Sequence, residues 1–356
     1  MTKPVLSATI SAASPPSASR DHALDGMRVI ATLLVIAIHV SAKGFGAMGE
    51  RGWWALNAYE SLARVAVPLF FMISGALLLP RSHTIASIGR REWRIGLPLI
   101  GWSLIYLLWL RYGGQHHRDW LGMIVSGPVM GHLWYLYALA GAYVFLPVLA
   151  VFHQALPARM QLFSLLFWFV GASLVPLEIA LTGRRLVGID WGSLPLYPGY
   201  MALGALLYRH LPAVPRRGGV AWAAVAWALL ALAIALATWW RSDRVAHADE
   251  TFYVYSSPLV LLAAIPAFVF ARGLSAACIR SGSALQRAVA AFAGVSFGVY
   301  LSHVLVLFVL DGYGIDYRFV NPWLAVPLVT LLAAALSAVL VRIMQAIPLL
   351  RAIVPR

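Results

Sequence analysis

Buried polar residues define the chemistry open to this sequence. In "RVIATLLVIAIHV", Arg28 and His39 stand at the two ends of an apolar run, 11 positions apart. That spacing is about three helical turns, so both side chains return to nearly one face, roughly 16 Å apart along the axis. No single small group can touch both. A ligand long enough to run from the membrane edge to the middle of a helix bundle accounts for the pair. Read separately, Arg28 snorkels to lipid phosphates and His39 is a hydrogen-bonded residue between helices. A histidine within a span nevertheless faces the bundle interior as a rule and marks function by default.

Further polar residues are expected at similar depth. In "YESLARVAVPLFFMISG", Glu60 and Arg64 lie one turn apart on one helical face, a few turns below the outer surface. Their plainer reading is a structural ion pair. His303, in "SFGVYLSH", lies about as far into its helix as His39 does, where a packing hydrogen bond is the alternative. His132 opens "HLWYLY" at the predicted outer boundary, either as an interfacial cap or, with Trp134 and Tyr135, as a substrate contact. For all of these to be independently decorative at one depth is expensive, so a polar chamber is expected. In "IGRREWRIGLP", Arg90 and Arg94 share a face at i and i+4, and Arg91 neighbours Arg94 at i+3. Guanidinium forks suit phosphate oxygens, though such a cluster also serves as a positive-inside anchor.

The elements that must position these residues are membrane helices. Of 356 residues, 61% are hydrophobic and 11% charged, against roughly 25% charged in soluble domains. Apolar windows fall near residues 27–43, 56–80, 95–110, 132–152, 160–178, 196–208, 219–240, 252–271, 290–311 and 322–346. The expected fold is therefore all-α and polytopic, with about ten transmembrane helices in one membrane domain, residues 22–356. Residues 1–21, rich in Ser, Ala and Pro, are expected to form a disordered tail. The stretch Val29 to Ile38 has the length of a signal-peptide core, but the polar lead and the histidine argue against cleavage. With both termini placed in the cytoplasm, the predicted inner segments hold the larger share of the 27 basic residues, including Lys3, Arg20, Arg280 and Arg356. The net charge of +14 is spread between spans, with no basic aromatic face for nucleic acid. One cysteine, Cys278, excludes an intrachain disulfide, and the histidines never pair at metal-ligand spacing in one helix, so no metal is implied.

The motifs in order, namely Arg28 with His39, "RVAVPLFFMISGALL", "RREWRIGLP", "GHLWYLYALAGAYVFLPVL" and "SFGVYLSHVLVL", resemble the acyltransferase-3 family of integral membrane acyltransferases. The resemblance is closest to its stand-alone branch, which includes enterobacterial common antigen O-acetyltransferase and exopolysaccharide acetyltransferases. It implies a multi-pass protein of the bacterial inner membrane that moves an acyl group, usually acetyl from cytoplasmic acetyl-CoA, to a hydroxyl of a glycan or its lipid-linked precursor. It implies a catalytic role for the histidine at 39, an essential arginine at 28, and a coenzyme-binding role for Arg90, Arg91 and Arg94. Some relatives carry a fused periplasmic domain, so this chain works either alone or with a separate partner.

Within that resemblance, neutral His39 is expected to act as general base toward the hydroxyl. Arg64 or His303 would stabilise the oxyanion, and Glu60 would orient or neutralise Arg64. A two-step route through Ser74, Ser302 or His39 as nucleophile stays open. The main alternative from another class is a transporter or flippase for a glycan or anionic small molecule, because interior charges also mark substrate pathways.

Overall fold

A computed structural model describes residues 21–185, 195–212, 216–279 and 282–355. The expected tail, except for Asp21, lies outside these residues, as do Lys3, Arg20, Arg280 and Arg356. Among the described residues all regular structure is helical. In chain order the helices are α1 His22–Ser41, α2 Trp53–Ala63, α3 Ala66–Leu78, α4 Ile85–Tyr112, α5 Trp120–Ser126, α6 Trp134–Val144 and α7 Leu146–Ala155. They continue with α8 Ala158–Phe169, α9 Val175–Thr182, α10 Leu196–His210, α11 Arg217–Val245, α12 Pro258–Cys278, α13 Ala284–Ala293, α14 Ser296–Gly312 and α15 Pro322–Ala346.

The helix that carries Arg28 and His39 is the hub, since α1 packs against α2, α3, α12, α13, α14 and α15. Its start is fixed by Asp21, whose carboxylate accepts from Ala23 N at 2.9 Å and Leu24 N at 3.3 Å. Asp21 also accepts from the Tyr208 hydroxyl. It therefore belongs to the folded domain, not to the tail in which the sequence placed it. Outer helices turn their apolar residues to lipid: Trp222, Leu229 and Leu232 on α11, and Leu324, Leu328 and Leu331 on α15, are exposed. In a bilayer such faces are solvated by acyl chains, while backbone groups satisfy one another within each helix.

Among the described residues seven helices are long and apolar enough to cross a membrane, and up to nine if each bent pair is one span, where about ten were expected. The window 196–208 forms α10, only 15 residues long, or about 22 Å at the α-helical rise, against a hydrocarbon core of about 30 Å. Its residues from Pro198 to Leu206 are buried inside the protein. The window 132–152 is broken at Phe145 into α6 and α7. The window 252–271 becomes helical only at Pro258. An odd number of crossings would put the termini on opposite faces, so the expected common side turns on whether α10 crosses.

Breaks place the polar residues. Pro68 has no N–H to give the Arg64 carbonyl, and the helix is interrupted between Ala63 and Ala66. A bend of 69° separates α13 from α14, and one of 51° separates α5 from the 3-10 turn Gly131–Leu133 that leads into α6. Elsewhere glycine permits close approach of backbones. A Cβ on Gly75 of α3 would lie 1.9 Å from the Met201 carbonyl oxygen of α10, and one on Gly204 would lie 2.2 Å from that of Met72. Both obstacles are backbone, so they cannot rotate aside. Gly75→Leu is expected to lower the thermal midpoint of the detergent-solubilised protein by about 5 °C or more, read by temperature-dependent size-exclusion chromatography; an unchanged midpoint would refute this packing.

Candidate active site

Three histidines from three separate segments meet in the bundle. His39 of α1 and His303 of α14 have ring centroids 4.8 Å apart, His132 and His303 5.2 Å, and His39 and His132 6.0 Å. The sequence reading placed His132 at the outer boundary. Instead it is 4% exposed, because the bend after α5 carries the Gly131–Leu133 turn into the interior. Its Nε2 lies 3.3 Å from the Leu301 carbonyl, Tyr106 packs edge-on at 5.2 Å, and the Tyr300 hydroxyl donates to the His132 carbonyl. His132 thus belongs with the other two histidines.

Carbonyl oxygens only accept, and this sets the proton positions. His303 Nδ1 is 2.6 Å from the Tyr300 carbonyl, so a neutral ring carries its proton there and presents the Nε2 lone pair. That Nε2 lies 3.3 Å from His39 Nδ1, which is also 2.8 Å from the Val35 carbonyl. Both neighbours accept, so His39 bears its proton on Nδ1 and keeps the Nε2 lone pair. His303 is 0% exposed and His132 4%; His39 alone of the three retains appreciable accessible surface. The arrangement offers one accessible proton acceptor, oriented by a buried partner.

Beyond His39, the other residues of the expected chamber tie the helices together. Ser41, two positions further along α1, donates to Glu60 Oε2 at 3.3 Å. The Arg64 guanidinium donates to Glu60 Oε1 and stacks 4.4 Å over the Tyr253 ring. Arg64 Nε is buried without a hydrogen-bond partner, and Arg64 is near enough to act electrostatically on His39. One turn past His39, Lys43 pairs with Asp311, two turns past His303, so the helices that bring the two histidines together are joined again toward the other end. Lys43 was missed in the sequence, although the i+4 spacing from His39 that would have revealed it is plain in "HVSAK".

At the start of α1, Arg28 donates to Asp25 Oδ1 at 3.2 Å and lines a cavity of about 380 Å³ with Arg91, Arg94, Tyr143, Ser296 and Phe297. Arg90 is exposed and lies outside it, so α4 presents the i, i+3 pair Arg91 and Arg94. Arg91 Nε is buried and unpartnered. A second cavity of about 160 Å³, lined by Ser74, Tyr135 and Tyr300 among others, shares Arg28, Leu139, Ser296 and Phe297 with the first. Together they lead inward from the arginines. Tyr300 stands between this passage and the histidines, with ring centroids 5.7 Å from His132 and 6.0 Å from His303. Trp134 and Tyr135 join an interior aromatic cluster with Phe71, Tyr197 and Tyr255. Ser302 is fully buried. Among the described residues no group of histidine, cysteine and carboxylate side chains is arranged to hold a metal ion.

A model of an acyltransferase domain matches residues 21–342, which include every residue of this site. The chain belongs to the acyltransferase-3 family. No curated protein and no solved structure matches it. With its helices spanning a membrane, this acyltransferase-3 member is a multi-pass membrane acyltransferase.

Glu60 and Arg64 make a direct test of the site's internal balance. Removing one partner of a buried pair costs about 3–5 kcal/mol, whereas replacing both by apolar groups is close to neutral. Glu60→Leu alone is expected to lower the yield of monodisperse protein severalfold, and Glu60→Leu with Arg64→Met to restore it. Equal losses in both, measured by fluorescence-detected chromatography, would show that the pair is not energetically coupled.

Proposed function

We propose that this acyltransferase moves an acetyl or other short acyl group from acetyl-CoA to a hydroxyl of a cell-surface glycan or its lipid-linked precursor, in the inner membrane of a bacterium. The observation that supports this most is the pairing of two features on one helix. An arginine-lined cavity opens at the start of α1, and an accessible histidine with a free Nε2 stands near its end. Coenzyme A has a phosphorylated head and a long thin arm that ends in the acyl thioester, and this shape matches the separation.

The residues present fit the donor. Arg28, Arg91 and Arg94 offer guanidinium forks to phosphate oxygens, and the unpartnered Arg91 Nε is a buried donor that lacks an acceptor within the protein. Bound acetyl-CoA supplies the activated carbonyl. His39 Nε2 takes the hydroxyl proton as that oxygen bonds to the carbonyl carbon; the carbon–sulfur bond breaks, and His39 returns the proton to the sulfur. His303 Nε2 accepts from His39 Nδ1–H and so orients the base and steadies its protonated form. Both nitrogens of His303 being engaged, Arg64 is the better oxyanion donor, with Glu60 and Ser41 holding it in place.

Binding of acetyl-CoA to the purified protein in nanodiscs tests the donor assignment. Arg91→Ala is expected to weaken it by about ten-fold or more, the range for hydrogen bonds to charged groups. His39→Ala is expected to keep binding while transfer to an added glycan acceptor falls by about a hundred-fold or more. Saturable binding that is indifferent to Arg91→Ala would overturn the arginine assignment, and near-normal transfer by His39→Ala would overturn the base.

A further inference from the structure

At the end of α1 opposite the arginine cavity, the segment after His39 and the last turns of α11 enclose a cleft of about 530 Å³. Among its lining residues are three tryptophans, Trp53, Trp54 and Trp239, and two carboxylates, Glu50 and Asp243. We propose that this cleft is a sugar-binding subsite for the acceptor, which takes a neutral or amino-bearing pyranose and discriminates against uronic or phosphorylated ones. Calling the sugar an acceptor rests on the acyl-transfer reading above; the binding chemistry does not.

The size falls within the range of small-molecule sites, which combine aromatic walls with a few placed polar groups. Trp54 and Trp239 are 45% and 40% exposed, and their rings meet at 5.8 Å with an angle of 40° between planes. Two tilted indoles with open faces are suited to the apolar C–H faces of a pyranose. Trp53 supports Trp54 edge-on at 5.4 Å and is itself fixed by donation from Nε1 to the Phe45 carbonyl at 2.9 Å. The platform is thus anchored from beneath.

The carboxylates add hydrogen-bond acceptors to the indole platform. Glu50 and Asp243 are both exposed and line the same cleft as the indoles. Their oxygens are acceptors to which sugar hydroxyls can donate. No lysine, arginine or histidine is among the residues lining the cleft, and Arg318, which acts electrostatically on Glu50, is already paired with Asp316, so an anionic sugar would meet two like charges without a free cation in the cleft wall. The position suits an acceptor too. The cleft begins nine residues past His39, at Met48, and lies at the end of α1 away from Arg28.

The test is titration of intrinsic tryptophan fluorescence of the full-length protein in nanodiscs. The probes are the methyl glycosides of glucose, glucosamine, galactose and rhamnose, and methyl glucuronide. Saturable responses are expected with at least one neutral or amino glycoside, with methyl glucuronide about ten-fold weaker or more, a modest value for an uncompensated like charge. Trp239→Ala and Glu50→Gln are each expected to weaken binding by about ten-fold. Both residues are at the surface, and Glu50→Gln keeps the shape, so loss of fold does not imitate the result. No saturable response to any probe, or unchanged affinity in both variants, would overturn the site; equal binding of the glucuronide would overturn its charge selection. Coenzyme A binding, measured in parallel on the unsubstituted protein, separates the two readings. Sugar binding without coenzyme binding keeps the subsite and removes the acetyl-CoA donor reading, and the reverse result does the opposite.

Discussion

A polar group taken out of water must find a partner inside the bundle, and in the bilayer interior the cost of failing to do so is several kcal/mol or more. This rule arranges the helices around α1. Arg28 is held by Asp25, Lys43 by Asp311, and Arg64 by Glu60, which also receives Ser41. The histidines turn ring nitrogens toward carbonyls of Val35, Tyr300 and Leu301. Because the partners lie on α1, α2 and α14, satisfying the charges also fixes how these helices dock. The same rule gives weight to what is left over. Arg64 Nε and Arg91 Nε are buried donors without acceptors, and both lie where the proposed reaction brings negative charge.

The two ends of α1 differ in chemistry. Arg28, Arg91 and Arg94 gather at its start, while Glu50 and Asp243, with exposed indoles, gather beyond its end. Such a gradient suits the proposed reaction, in which an anionic donor and a hydroxyl-rich acceptor come to the histidines from opposite ends. The arrangement needs only one helix to carry the register between the two ends, and α1 has a dozen residues from Arg28 to His39 in which to do it.

Local spacing made part of this legible in the sequence. The i, i+4 relation of Glu60 and Arg64 sets them in contact whatever the rest of the chain does, and the three turns between Arg28 and His39 put them on one face of one helix. Depth alone brought His303 to the level of His39, and the structure adds that they touch. What depends on breaks and rotations was not legible. His132 was read as the outer end of a span because its apolar window starts there, whereas the bend just before it turns the segment into the bundle. Arg90 and Arg91 are equivalent by composition, and only the packing of α4 decides that Arg91 faces the cavity. The window 196–208 read as a span like the others, whereas α10 is short and wrapped in protein against α3 through Gly75 and Gly204. Hydropathy does not distinguish a helix buried in protein from one bathed in lipid.

Tyr300 and Tyr135 close the passage from the arginine cavity just before the histidines, with their rings 5.4 Å apart and both nearly inaccessible. An enzyme that admits a charged donor from one face of a membrane and a hydrated acceptor from the other is at risk of becoming a wire for protons, and a cluster of histidines is a good conductor. Across an energised membrane each elementary charge is driven by about 2.3 kcal/mol per 100 mV. Under the proposed reaction the tyrosine pair stands across this polar path until the coenzyme's arm parts the two rings, and so limits the leak of charge between the two compartments.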